Sequence, residues 1–155
     1  MKIFTFLLFI LFAVSVNKVS AQELTTEKII AILQKDDAIQ LATLINNDNI
    51  NNCYTEKGYP YSALSQTVRY NAKKCFDFLI AQGADVNKVC NGYVPPLMHA
   101  AKYGHLDMVK ILVAKGANVH YQYDGDNPNI QDMTPLTYAE KFNQKEVADY
   151  LRSLK

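Results

Sequence analysis

Net charge is nearly absent from this chain of 155 residues: 16 basic side chains stand against 15 acidic ones. A near-neutral chain lacks the basic footprint of a general nucleic-acid binder, so any charged partner is met by a local patch. Cysteine is scarce as well. Cys53, Cys75 and Cys90 lie far apart, with no CxxC or CxxxH spacing, which argues against a structural zinc site. No Asn-x-Ser/Thr triplet occurs, so N-glycosylation is not expected. After the first residues no stretch is long and apolar enough to cross a membrane.

The first residues are different. "MKIFTFLLFILFAVSVNKVSAQ" has a basic start at Lys2, an apolar run from Ile3 to Val16, and then Val19-Ser20-Ala21. Charge, short apolar stretch and small residues in that order predict a secretory signal peptide over residues 1–21. The run is short for a bilayer span. No Cys follows it before Cys53, which argues against a lipid-attached N-terminus. The expected mature product, residues 22–155, is soluble and periplasmic or secreted. Cleavage removes Lys2 and Lys18 and no acid, leaving a net charge of −1. Three cysteines in an exported chain allow one disulfide and one free thiol.

What the chain does have is a repeat. Gly83-Ala84-Asp85-Val86 returns as Gly116-Ala117-Asn118-Val119, an offset of 33 residues. At the same offset Ser62-Ala63-Leu64 aligns with Pro95-Pro96-Leu97, and Cys75-Phe76 with Met108-Val109. A further copy begins at Thr134-Pro135-Leu136, six residues late. Each copy reads as a helical hairpin. Thr134 is suited to cap a helix and Pro135 to take its first position, where a missing N–H costs little. Asn71, Gly104 and Asn143 tolerate the left-handed conformation that ends the first helix. A second helix with a one-sided apolar pattern follows and stops at Gly83 or Gly116.

"PPLMHAAKYGHLDMVKILVAKGANV" resembles the ankyrin repeat, whose pattern is T-P-L-H-x-A-A-x-x-G-H, an apolar helix and G-A-D-V-N. The resemblance is strong over residues 58–155, and residues 25–51 look like a degenerate first copy, with helices in "TTEKIIAILQK" and "DAIQLATLINN". Departures are Pro95 at the capping Thr, Met98 at the motif's His, and Thr67-Val68 at its Ala pair. The resemblance implies an all-α solenoid of about three and a half repeats with β-turn fingers. Its repeats fall roughly at 25–57, 58–90, 91–129 and 130–155. The last helix carries Lys145, Glu146, Asp149, Arg152 and Lys155, the polar outer face expected of a capping repeat.

No catalytic constellation is legible. His105 stands at the family's Gly-His position, where an imidazole satisfies backbone groups between repeats. His99 is expected on an exposed helix face and His120 on a loop. Cys75 shares the register of Met108 and Val147 and reads as a small core hydrophobe. Arg69-Tyr70, Lys102-Tyr103 and Lys141-Phe142 occupy the same two places in three successive copies. The ankyrin resemblance puts these at the concave groove, where cations and aromatics are good interface anchors. Tyr93, Tyr121 and Tyr123 join them from the fingers. The expected function is therefore non-catalytic recognition of another protein, one bearing an acidic patch, by a monomer that needs no cofactor. Such a module would inhibit or support an exported enzyme or toxin. The alternative is a metal- or ligand-binding protein, or an enzyme accessory, using loop 121–133. That loop holds Asp124, Asp126, Asn127 and Asn129 but has Pro135 where a calcium loop wants its distal acid. Cys53 and Cys90, 37 residues apart, each follow a helical hairpin. They are expected on neighbouring fingers, within reach of a disulfide.

Overall fold

The computed structural model describes residues 26–154. The signal segment expected over residues 1–21 lies outside the described residues. A helix, α1, covers residues 26–34, and α2 is Ala38–Ala42. A hairpin follows, β1 (Cys53–Glu56) and β2 (Tyr59–Ser62). Three helix pairs complete the chain: α3 (Ala63–Tyr70) with α4 (Lys73–Ala81), α5 (Pro96–Tyr103) with α6 (Leu106–Ala114), and α7 (Pro135–Lys141) with α8 (Lys145–Ser153).

The local chemistry follows the repeat. Ser62 caps α3 by accepting the Ser65 N–H at 3.1 Å. Thr134 caps α7, and Thr137 Oγ1 accepts the Thr134 N–H in return, a capping box built from two threonines. Pro95 gives α5 no side-chain cap, but Pro96 presets its first turn. Asn71, Gly104 and Asn143 turn the chain between paired helices at φ of 54°, 73° and 57°. Gly104 takes the left-handed region freely for want of a Cβ, and Asn enters it more readily than most residues because its short polar side chain bonds locally.

Stacking then buries the apolar faces. The first helices of successive pairs pack in series, α3 on α5 and α5 on α7; among the second helices, α2 packs on α4 and α6 on α8. Between them lie Leu64, Phe76, Leu79, Leu97, Leu112 and Leu151, all buried; each such side chain contributes about 2 kcal/mol. Cys75 is fully buried, and burial, with the Asp36 charge adding, pushes its thiol up to about 12. It is a core residue held as the neutral thiol.

Polar groups fix the spacing. The Asp36 carboxylate accepts the N–H groups of Lys74 and Cys75 at 3.1 and 2.8 Å, capping α4 from the preceding hairpin. Asn51 Oδ1 accepts the Asp85 N–H, and Asn87 Oδ1 the Asn118 N–H, each at 2.8 Å.

Three expectations need correction. The fold is mostly helical rather than all-α, because residues 53–62 pair as an antiparallel hairpin with Tyr54 opposite Tyr61. Lys57 and Gly58 both have positive φ in its turn, the geometry that matches strand twist. The helix expected over residues 37–47 stops at Ala42. Beyond it the Asn46 and Asn49 side chains accept the N–H groups of Asp48 and Asn46, and such local bonds draw the backbone into turns. The segment carrying the six extra residues is not a bare loop. The Tyr123 N–H donates to Met133 O, and the Asp132 N–H to Tyr123 O, pinning its two ends together. Val94, Met98, Tyr123 and Tyr138 form a second, small core beneath it.

Candidate functional site

The three cation–aromatic pairs end α3, α5 and α7 as their register requires, but the structure treats them differently. Arg69 pairs with Glu56 at 3.1 Å, bonds Gln66 Oε1 at 2.7 Å and lies 3.8 Å from the Tyr61 ring centroid. Desolvation raises the Glu56 carboxyl, yet hydrogen bonds from Tyr70 and Arg69, with the Arg69 charge, bring it below its ordinary value. Burial, with the bond to Glu56 adding, pushes the Tyr70 phenol up to about 12. Arg69 and Tyr70 are thus largely spent on internal contacts. Lys102 is not. It has no carboxylate partner among the described residues, and its Nζ sits 5.4 and 5.1 Å from the Tyr103 and Phe142 rings. Tyr103 is 39% exposed and stacks on His105. Lys141 donates to Asn129 O and ties α7 to the insertion.

The connecting segments add a wall of rings. Tyr93 meets Tyr59 edge-on at 5.8 Å and Tyr61 at 5.3 Å. The Cys53–Cys90 disulfide (Cα–Cα 6.0 Å) ties the base of the hairpin to the segment that carries Tyr93. Tyr121 is half-buried against the small core. Tyr123 is not an exposed anchor at all. It is 4% exposed, and its hydroxyl accepts the Asn127 N–H at 3.3 Å. The pinned ends of the insertion turn it inward, where its ring packs with Val94, Met98 and Tyr138.

Between hairpin, insertion, α5 and α7 lies a cleft of about 470 Å³, lined by Tyr59, Tyr61, Tyr93, Tyr138, His99, Lys102 and Asp126 among others. That volume suits a small group better than a whole surface. His99, expected on an exposed face, is only 6% exposed, and neither ring nitrogen has a hydrogen-bond partner in the protein. Desolvation, with the charges of Arg69 and Lys102, pushes its pKa down to about 3. The imidazole is therefore neutral, with one donor and one acceptor. The reason for its burial is that α5 is covered from both sides, by α3 and by α7.

A family model described as ankyrin repeats (3 copies) matches residues 28–123 and 64–155. The chain belongs to the ankyrin repeat family. An ankyrin repeat protein of Rickettsia felis is 30% identical over 139 residues, 87% of this chain and 58% of that protein. An ankyrin repeat protein of Fowlpox virus is 36% identical over 91 residues, 59% of this chain and 14% of its own length. The human ankyrin repeat and KH domain-containing protein 1 is 54% identical over 44 residues, 28% of this chain and 2% of that protein. The chain thus spans less than two thirds of each of these relatives. Ankyrin repeats generally mediate protein–protein interaction and are generally non-catalytic.

In the ankyrin register the informative position is the x of T-P-L-H-x-A. It is filled by Gln66, His99 and Tyr138, all buried, or nearly so, and polar or amphipathic. Sequence reasoning passed over this row for the cation three residues on. The signal was present: one place in three copies holds Gln, His and Tyr between neighbours that read as core. Among the described residues no group of three or more His, Cys, Asp or Glu is placed to hold a metal. The carboxylates of the insertion face outward as turn residues, with Asp124 and Asp126 exposed. No helix of the described residues is long and apolar enough to cross a membrane.

Proposed function

We propose that this ankyrin-repeat chain is a non-catalytic binding module that docks another protein on the face made by α3, α5 and α7 and their connecting segments. The hairpins stack as a solenoid of about three and a half repeats. One observation carries the reading: a cation and an aromatic recur in one register at three consecutive helix ends, Arg69–Tyr70, Lys102–Tyr103 and Lys141–Phe142. Stacking turns that recurrence into one continuous strip. Its centre, Lys102 and Tyr103, is the part least engaged internally, so binding energy concentrates there. Tyr93 and Tyr121 flank it.

The module acts outside the cytoplasm as a monomer. The apolar leader at residues 3–16 and the Cys53–Cys90 disulfide support export, since disulfides persist in oxidising compartments. The partner carries an acidic patch, and the natural candidates are exported enzymes or toxins that the module inhibits or supports.

The test is a photo-crosslinking amino acid placed in living cells at Tyr103, on the proposed face, or at Lys110, on α6. The face is correct if Tyr103 yields a discrete adduct, Lys110 does not, and Lys102→Glu abolishes it. A truncated anchor should cost about 2 kcal/mol of binding or more, and association should slow as salt is raised. A discrete adduct from Lys110 with none from Tyr103 would put the interface on the other layer.

A further inference from the structure

The tyrosine-lined cleft is more specific than a docking strip requires. Its buried lining contains one unpartnered hydrogen-bonding ring, His99, beside Lys102. Both its nitrogens are closed to solvent, with the Tyr61 ring edge-on at 5.4 Å, so a ligand atom reaches them only as the surrounding side chains give way. A neutral imidazole buried this far normally finds a partner for its N–H. Lys102 is the cation among the lining residues, and it is held over the Phe142 and Tyr103 rings with no carboxylate of its own among the described residues. Arg69 is nearby but already paired with Glu56. The walls are tyrosine rings, which pack on an aliphatic stem and whose hydroxyls donate to an acceptor.

We propose that the cleft is a receptor for one carboxylate side chain: an Asp or Glu of the docked protein enters between the tyrosines, accepts the buried His99 N–H and pairs with the Lys102 ammonium. The proposal rests on the docking face described above and names what that face reads at its centre. A carboxamide serves the His99 N–H as well, but it leaves Lys102 unpaired. Charge-assisted bonds are the stronger ones, so the charged head is favoured. Asp126 is the carboxylate among the lining residues, and it is exposed on the rim of the insertion. Its charge opposes the ligand from solvent, where screening weakens it.

The experiment uses two probes of one shape, N-acetyl-glutamate N-methylamide and N-acetyl-glutamine N-methylamide. Each is titrated into the intact mature protein while the His99 ring signals are followed by ¹⁵N NMR. The glutamate probe should give a saturable shift at millimolar concentration and bind roughly tenfold more tightly than the glutamine probe. Lys102→Met should erase that preference, and Asp126→Asn should tighten the glutamate probe by about twofold. Circular dichroism confirms that both variants are folded. Equal binding of the two probes, no saturable shift from the glutamate probe, or a preference that survives Lys102→Met would each overturn the carboxylate receptor. Any of these results leaves the docking face to be judged by where the adduct forms, at Tyr103 or at Lys110, which does not depend on the cleft.

Discussion

Burial of His99, with the charges of Arg69 and Lys102, holds its pKa near 3, whereas in the unfolded chain it titrates at its ordinary value near 6.5. A folded-state pKa below the unfolded one means that the unfolded chain binds the extra proton first. The stability tied to the neutral ring is therefore complete above about pH 6.5 and declines as the pH falls toward 3. Between about pH 7.5 and pH 5 this one group should withdraw about 2 kcal/mol. Urea unfolding at the two pH values measures it, with His99→Leu as the comparison. The variant should lose much less than the wild type over that interval; equal losses would place the titrating group elsewhere. The same residue marks a limit of sequence reasoning. Nothing in "PPLMHAAKYG" says that the ring is covered, because the cover comes from helices one repeat away on either side, 33 residues upstream and 39 downstream in the repeat register. Tyr123 was hidden for a related reason. Asp124, Gly125, Asp126, Asn127 and Pro128 read as solvent-facing turn, and only the pairing of Tyr123 with Met133 and Asp132 turns the ring inward.

Elements were legible where chemistry is local. Thr134 and Pro135 foretell the start of α7, and Asn71 and Gly104 the ends of α3 and α5. The β1–β2 hairpin was not read from the sequence, although Tyr54, Tyr59 and Tyr61 stand around Lys57-Gly58, because the ankyrin resemblance implied only a β-turn finger there. The cap on α4 was not legible. Its own N-terminal residue is Ala72, which offers no side-chain bond, and the acceptor is Asp36, about one repeat upstream. The hairpin's position depends on the Cys53–Cys90 bond, which closes a 37-residue span. Cross-linking a span of that length removes enough unfolded-state freedom to be worth about 4 kcal/mol. A Cys53→Ser/Cys90→Ser double variant should lose about that much in urea unfolding. A loss near zero would mean that strand pairing alone seats the hairpin.

Across the whole molecule stability is shared between neighbouring repeats, so a core side chain with repeats on both sides matters more than one at an edge. Leu112 in α6 is completely buried, whereas Leu151 in the last helix is 5% exposed and lines a shallow pocket with Leu154 and Val119. Leu112→Ala should cost about 4 kcal/mol and Leu151→Ala about 2 kcal/mol, within the span such truncations show; denaturant unfolding of the two variants checks the order. The array's spacing is gauged by short bonds between adjacent turns, Asn51 to Asp85 and Asn87 to Asn118, and the insertion enters only after the last of these. It brings its own small core, with Tyr123 on Val94, Met98 and Tyr138, and both its ends are fastened to each other. Residues 124–131 are thus carried like an exchangeable tool head on a fixed handle. The bonds that set the handle's spacing lie outside that stretch, so a changed tool there, on the proposed docking face, need not re-machine the frame.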